Sequence, residues 1–403
     1  MKQTHTILMP EMLPIHQMFL AKVLSQHGYK LEILKNTGKN IVEEGLKNVH
    51  NDTCYPALLV IGQMIDALKS GNYDLSKTAL MLTQTGGGCR ASNYIFLLRK
   101  ALKNCGLGHI PVISLNLAGL DDAPGFKLNL TMIKKAMFAI ASADLIMWAA
   151  NQCYPYEKYE GATDDVINKW LNKIADVWNE KKTVRYEDIK KLYLPILRDF
   201  SEIRDKKTDK PKVGIVGEIY VKYAPMGNNN LNKFLISEGA EPVLCGLLDF
   251  CLYCVHNGSV TSELYGGGLI AKQVTKIAYN YLIKKQHDII DAFKEFGEFD
   301  PPYDFNKTRD CAPEYIGTGV KMGEGWLLTA EMGELISHGV KNIVCTQPFG
   351  CLPNHIVGKG MMNTIKSKHP EANIVAIDYD PGASEINQQN RIKLMLANAN
   401  NED

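Results

Sequence analysis

The sequence lacks a surplus of charge of either sign, and it lacks any long uninterrupted apolar run. Its 45 basic residues nearly balance its 44 acidic residues, which leaves a formal net charge of +1. This balance gives no indication of a nucleic-acid-binding surface or of binding to acidic membranes. The longest apolar stretches, 136–150 and 243–255, are interrupted by Asp144 and Asp249. Both are shorter than the roughly 20 apolar residues that a membrane-spanning helix needs.

Several signal and binding motifs are also missing. The N-terminus has neither the apolar core nor the small-residue cleavage site of a secretory signal, so we expect a cytoplasmic protein. In that reducing compartment the ten cysteines are expected to be thiols, metal ligands or catalysts rather than disulfides. The phosphate-binding patterns G-x-x-x-x-G-K-[ST] and G-x-G-x-x-G do not occur. A C-x-x-C at Cys251 and Cys254 is embedded in an apolar run, which favours a buried helix or strand.

The chain alternates between strand-like and helical patterns. Its 403 residues, 45% of them apolar, are enough for two or three domains. Such alternation, with helices of roughly 10–15 residues, indicates βαβ units and mostly parallel sheets. We therefore predict the α/β class, with two doubly wound parallel-sheet domains of the Rossmann or flavodoxin type. The predicted division is a first domain at 1–120, a helical linking region at 121–212, and a second domain at 213–403 with a helical insertion at 250–312.

The predicted strands are short apolar runs, and the predicted helices have amphipathic spacing. The strands are Thr6–Met9, Leu31–Leu34, Thr78–Thr83, Pro111–Leu115, Val213–Val216, Pro242–Leu244, Asn342–Thr346 and Ile374–Tyr379. The helices are Ile15–His27, Ala57–Lys69, Asn93–Lys103, Asp164–Glu180, Tyr186–Asp205, Ala271–Phe296 and Trp326–Ile336.

Two cysteines lie just before predicted helices. Cys54 precedes the helix Ala57–Lys69, where backbone N–H groups and the helix dipole stabilise a thiolate. The alternative is a buried cysteine with no function. Cys89 follows the predicted strand Thr78–Thr83 and a run of three glycines, and Arg90 comes next.

The glycine run lies at the carboxyl end of a predicted parallel strand, where α/β sheets bind ligands. Gly86, Gly87 and Gly88 let backbone N–H groups approach an anion, so a phosphate cradle is one interpretation. The cysteine that follows favours a metal or redox role, with the charge of Arg90 offsetting negative charge.

Two further cysteines follow a strand of the second half. Cys345 and Cys351 flank a turn that contains proline and glycine, and loops after strands are exposed. Both thiols are expected to face the cleft, unless Cys345 points into the core and only Cys351 is functional. Single cysteines on distant loops favour an iron–sulfur cluster over zinc, which takes closely spaced pairs.

Other residues are weaker candidates. Cys153 and Cys311 are possible additional ligands, because each lies in a loop-like context. The glycine-rich segment Gly317–Gly325, with Lys321, fits a phosphate or coenzyme A site, although a flexible loop with a helix cap is favoured. A lone carboxylate or histidine is more often structural, so no role in proton transfer is assigned to Glu218, His50 and His355.

These segments resemble a known family. The sequence is similar to the dehydratase-like C-terminal region of acyl-CoA dehydratase activase-related proteins. It resembles more distantly the subunits of 2-hydroxyacyl-CoA dehydratase, benzoyl-CoA reductase and the double-cubane cluster protein. The resemblance covers nearly the whole chain, and Asn51–Gln63 and Cys345–His355 are its most specific parts. The segments that carry it are His50–Ala67, Leu80–Lys100, Val213–Asn230, Lys321–Glu334 and Asn342–Gly360.

The resemblance implies an iron–sulfur cluster in the cleft between the two α/β domains. In such proteins three cysteines of a subunit hold a [4Fe–4S] cluster, and by position these are Cys54, Cys89 and Cys351. Cys345 is expected either to replace Cys351 or to act as a fourth ligand. A double cubane, [8Fe–9S], needs more thiolates and would recruit Cys153 or Cys311.

The resemblance also implies a function. We expect an oxygen-sensitive homodimeric enzyme that passes low-potential electrons to a small-molecule or acyl-CoA substrate. The sequence shows no ATPase motif, so an ATP-hydrolysing activator (activase) is expected to supply the electrons in trans. No nucleic-acid or membrane partner is expected. The alternatives are a double-cubane reductase of small molecules, a cluster scaffold or maturation protein, and a metal-free phosphate-binding module.

Overall fold

The chain forms two four-stranded parallel sheets surrounded by helices, which confirms the predicted α/β class. The computed structural model describes residues 1–50, 52–83, 88–115, 125–180, 184–205 and 209–399. Within these residues, no helix combines the length and the apolar character that crossing a bilayer requires.

The first sheet is built from short apolar strands that connect through helices. The strand Thr78–Thr83 has the predicted bounds, and all but its last residue are buried, as expected for a parallel strand that is covered on both faces. The elements of this half are β1 (Thr6–Pro10), α1 (Pro14–Ser25), β2 (Lys30–Leu34), α2 (Lys39–Asn48), α3 (Tyr55–Lys69), β3 (Thr78–Thr83), α4 (Tyr94–Asn104) and β4 (Val112–Leu115).

In the described part of the chain between the two sheets there are four α-helices, and one predicted helix proves to be two. The helix predicted at Tyr186–Asp205 is interrupted at Lys191 and Leu192. Pro195 explains the break, because proline has no N–H to donate to the carbonyl of Lys191 and its ring clashes with that carbonyl in a continuous helix. The helices are α5 (Leu130–Asn151), α6 (Ala162–Glu180), α7 (Tyr186–Lys190) and α8 (Tyr193–Ile203).

The second half repeats the architecture of the first and adds a long helical hairpin, α11 and α12. Its elements are β5 (Lys212–Gly217), α9 (Ile219–Tyr223), α10 (Leu231–Ser237), β6 (Glu241–Val243), α11 (Leu247–Leu264), α12 (Leu269–Phe296), α13 (Phe305–Cys311), α14 (Leu327–Ser337), β7 (Asn342–Pro348), α15 (Met362–Lys368), β8 (Asn373–Tyr379) and α16 (Glu385–Ala399). A short π-helix spans Asn354–Lys359.

The two sheets have equivalent strand orders, β2-β1-β3-β4 and β6-β5-β7-β8. In each sheet, the second strand along the chain pairs with one edge of the first strand, and the third strand pairs with its other edge. The carboxyl ends of β1 and β3, and those of β5 and β7, are therefore the points where such folds bind ligands. Apolar side chains of both sheets, among them Leu80 and Val344, belong to one buried cluster, so the two halves share a core.

Candidate functional site

Loops at the carboxyl ends of three strands carry the residues of the candidate site. Cys89 lies beyond β3, Glu218 directly follows β5, and Cys351 follows β7. Strands β5 and β7 are hydrogen-bonded neighbours, so Glu218 and Cys351 emerge side by side. These positions correspond to the ligand-binding edge of a doubly wound sheet.

Cys54 joins this group from the start of α3. Its side chain is buried, and its sulfur lies 2.9 Å from the hydroxyl oxygen of Tyr94. The next residue, Tyr55, donates its backbone N–H to the carbonyl of Phe349 at 2.9 Å. The start of α3 in the first half is thus hydrogen-bonded to the loop that carries Cys351 in the second half.

Gly350 makes the close approach of these two loops possible. Its φ of +71° lies in the left-handed region, and a Cβ atom there would be 3.1 Å from the Cα of Cys54. A side chain at this position is disfavoured both by the backbone conformation and by this contact. The absence of a side chain at Gly350 therefore lets the Cys351 loop lie against Cys54.

The loop Gly317–Gly325 fills the space between Cys89 and the Cys351 segment. The backbone N–H of Gly88 points to the sulfur of Met322 at 3.2 Å. A Cβ atom on Gly323 would lie 2.8 Å from Pro353 and 3.9 Å from the sulfur of Cys89. This glycine-rich loop therefore contacts the cysteine segments of both halves.

Cys351 is buried, and it receives a hydrogen bond from the residue that begins the π-helix. The side-chain N–H of Asn354 lies 3.3 Å from the sulfur of Cys351. Asn354 is fully buried, and its side-chain oxygen has no hydrogen-bond partner. Single π-turns are frequent at functional sites. This one places the side-chain N–H of Asn354 within hydrogen-bond distance of the Cys351 sulfur.

Two buried glutamates, Glu218 and Glu324, act electrostatically on the thiols. Burial, together with the nearby charge of Glu324, raises the pKa of Glu218 to about 8. Burial is the main cause that raises the pKa of the thiols of Cys54, Cys89 and Cys351, and the negative charge of Glu218 adds to it at all three. One carboxyl group is therefore within electrostatic reach of all three sulfurs.

The thiols are neutral without a metal. Burial raises the pKa of Cys89 to about 11, and it also raises the pKa of Cys54 and Cys351. The charge of Arg90 lowers the pKa of Cys54, and the Arg90 guanidinium donates to the backbone carbonyl of Asp52. A metal that binds these sulfurs must displace their protons, so its binding becomes tighter as the pH rises.

Cys345 occupies a different environment from Cys351. It is fully buried on β7, and the side-chain N–H of Gln347 lies 3.0 Å from its sulfur. Burial raises its pKa to about 12, and the charges that act on it are those of Glu331, Asp378 and Lys359. Its surroundings therefore differ from those of Cys54, Cys89 and Cys351.

The remaining candidates are dispersed over the molecule. Cys153 is fully buried in the core with its sulfur 3.5 Å from the carbonyl of Phe200, and Cys311 is half-buried at the end of α13. His50 and His355 are exposed. Gly86 and Gly87 lie outside the described residues.

Three residues of the site did not stand out from the sequence, and a fourth, Cys254, was interpreted there as part of a buried element. The hydroxyl of Tyr94 is hydrogen-bonded to the sulfur of Cys54, Asn354 donates to the sulfur of Cys351, and Glu324 is buried. Cys254 lies on α11, and desolvation of its thiol by the surrounding protein, followed by the charge of Glu324, raises its pKa. The signal for Cys254 was its C-x-x-C motif, and that for Asn354 was its position three residues after Cys351. No local pattern marks Tyr94.

The three thiols are of the ligand type that an iron–sulfur cluster uses. Among the described residues, no three His, Cys, Asp or Glu side chains converge so that they would hold one metal ion. A cluster binds each thiolate through a different iron atom, so its ligands stand apart. Three thiols on separate segments, two of them with hydrogen-bonded sulfurs, match the ligand chemistry of iron–sulfur clusters.

No protein-family model matches the chain, and no curated protein matches it significantly.

Proposed function

We propose that this chain is an iron–sulfur redox protein of the cytoplasm, with a [4Fe–4S] cluster on Cys54, Cys89 and Cys351. The observation that carries the proposal is that the segments bearing these three thiols lie against one another: Gly350, beside Cys351, packs on Cys54, and Gly323 lies between Pro353 and the sulfur of Cys89. A cluster of this type supplies one-electron transfer at low potential.

The residues around the thiols have separate tasks. Tyr94 and Asn354 hold the sulfurs of Cys54 and Cys351 in place, and hydrogen bonds to sulfur tune the potential. Glu218, with a pKa of about 8, carries a proton at neutral pH and holds it next to the thiols. Protonated Glu218 adds no negative charge to a site where three thiolates would already repel one another.

The surface near Cys351 suits a protein electron donor. Phe349, Leu352 and Ile356 are 51%, 61% and 63% exposed, and they flank the buried Cys351 in sequence. Clustered exposed apolar side chains are typical of docking sites. We infer that an ATP-hydrolysing activator docks at these residues and delivers electrons, which pass to a small-molecule or acyl-CoA substrate.

A larger cluster is the second candidate. A double cubane needs more than three thiolates, and Cys254 adds a fourth thiol within electrostatic reach of Glu324. Glu324 also raises the pKa of Cys89 and Cys351. This shared neighbour favours Cys254 over Cys153 and Cys311 as the additional ligand.

The proposal is tested by replacing one ligand and one unrelated cysteine. Cys89→Ala should abolish the broad charge-transfer absorbance of the anaerobically purified protein. The matched control is Cys105→Ala, because the half-buried Cys105 donates to Asn48 at 2.8 Å and lies at the far end of α4. Full iron content in the Cys89→Ala protein would contradict the proposal.

A further inference from the structure

The helical hairpin α11–α12 exposes an unusual concentration of apolar side chains. Of the nineteen large apolar residues that are exposed in the described part of the chain, seven lie between Leu264 and Tyr281. They are Leu264, Tyr265, Leu269, Ile270, Val274, Ile277 and Tyr281, with exposures from 43% to 82%. Exposed apolar surface that is concentrated in one part of a protein is typical of a site of association.

Four of these residues follow the spacing of a coiled-coil seam. Ile270, Val274, Ile277 and Tyr281 succeed one another at intervals of four, three and four residues, which is the a/d pattern of helices that pack at a small crossing angle. The opposite face of α12 already packs against other parts of the same chain. The hydroxyl of Tyr279, for example, donates to Asn306 at 2.8 Å. The seam is thus a second, unpartnered face.

The residues beside the seam identify the occupant. The e and g positions, which face a partner helix in a coiled coil and set the choice of partner, hold Ala271, Gln273, Ala278 and Asn280. None of these is charged, and the two alanines permit close approach. A helix with lysines here would repel its own copy and select an acidic partner. This helix meets no like charge when it packs against itself.

We propose that the α12 seam is the contact between two copies of this chain across a twofold axis. A symmetric dimer needs a patch that is complementary to itself, and an uncharged apolar stripe fulfils that condition. The seven side chains offer on the order of 500 Å² of apolar surface. Since roughly 65% of a homodimer interface is apolar, this amount matches the roughly 800 Å² that each partner of a standard interface buries.

The dimer contact is connected to the candidate site but does not depend on it. The ammonium group of Lys321, on the loop beside Cys89, donates to Thr261 of α11 at 2.7 Å. A Cβ atom on Gly319 of the same loop would lie 3.3 Å from Leu264 at the tip of the hairpin. Packing of the hairpin against a second copy would therefore restrict the movement of the loop through these two contacts.

Sedimentation velocity on the full chain, with and without its metal, tests the proposal. The wild-type protein should sediment as a dimer at micromolar concentration. Val274→Glu and Ile277→Glu should each raise the dimer dissociation constant about a hundredfold or more, because each places like charges opposite one another in the contact. Both side chains are more than half exposed in one chain, so far-UV circular dichroism should not change.

Two controls separate this contact from a general loss of association. Ile386→Glu introduces the same charge at a side chain that is 69% exposed on α16, and this variant should remain dimeric. A mixture of Ile277→Glu and Ile277→Lys proteins should recover dimer that neither forms alone. A monomeric wild-type protein would overturn the proposal, and so would a dimer that persists in the Val274→Glu and Ile277→Glu variants. Neither result depends on whether the protein binds iron.

Discussion

The hydroxyl oxygen of Tyr94 lies 2.9 Å from the sulfur of Cys54, and both groups are buried. Tyr94 begins α4, whereas Cys54 precedes α3, so the pair joins two segments of the first half at the candidate site. This hydrogen bond lowers the pKa of the Cys54 thiol against the opposing effect of burial. It therefore prepares the sulfur for deprotonation.

Replacement of Tyr94 by phenylalanine should make the Cys54 thiol less acidic. The ring still fills its site, while the hydrogen bond that lowers the pKa of Cys54 is lost. We expect the rate of alkylation of Cys54 to reach its half-maximum at a higher pH in metal-free protein, and stability to fall by about 1 kcal/mol. Tyr73→Phe is the control, since Tyr73 donates to Glu32. An unchanged alkylation profile in Tyr94→Phe would show that the hydrogen bond has no effect.

Replacement of Gly350 by alanine should separate the two halves of the site. Gly350 has a φ of +71°, and a Cβ atom there meets Cys54, whereas Gly339 has a φ of +82° and open space around it. Both substitutions cost about 1 kcal/mol for the backbone conformation. Gly350→Ala should lower the free energy of unfolding further than Gly339→Ala does, because of the contact with Cys54. Of the two variants, only Gly350→Ala should bind less iron. Equal losses in urea unfolding and equal iron contents would contradict the described contact.

The stability of the metal-free protein should depend on the protonation of Glu218. Its pKa is about 8 in the folded protein, against an ordinary value of 4.5. The folded state then binds more protons than the unfolded state between these values, so stability falls as the pH rises from 4.5 towards about 8 and levels off above it.

Glu218→Gln should remove this dependence while keeping an oxygen that accepts from the backbone N–H of Val221. Between pH about 6 and about 9, wild type should lose at least about 1 kcal/mol more stability than the variant. Glu43→Gln, at an exposed position on α2, should behave like wild type. Parallel pH profiles for wild type and Glu218→Gln would contradict the raised pKa.

Replacement of Asn354 by leucine should lower the midpoint potential of the loaded protein. The side-chain N–H of Asn354 lies 3.3 Å from the Cys351 sulfur, and such a bond favours the more negatively charged, reduced state. Loss of about 1 kcal/mol of this stabilisation corresponds to about 40 mV for one electron. A redox titration followed by electron paramagnetic resonance measures the shift. Gln347→Leu, which removes the donor to Cys345, should leave the potential unchanged if Cys345 is not a ligand.

The sequence was sufficient to predict the strands and helices that are determined by a local pattern of residues. All eight predicted strands are found, and β3 has the predicted bounds, because each is a short apolar run between polar turns. Prediction missed the break between α7 and α8, although Pro195 was the available signal. The pairing of Tyr94 with Cys54 has no such signal, because it depends on how α4 packs against the start of α3. The different surroundings of Cys345 and Cys351 likewise follow from tertiary packing.

The central claim is that these thiols hold an iron–sulfur cluster. Iron and acid-labile sulfide per chain, measured on anaerobically purified protein together with its electron paramagnetic resonance spectrum, test this claim most directly. We predict about four irons and four sulfides, and a spectrum of a reduced cubane after addition of dithionite. About eight irons would favour the larger cluster with Cys254. Protein that is purified without oxygen and contains no iron would contradict the account.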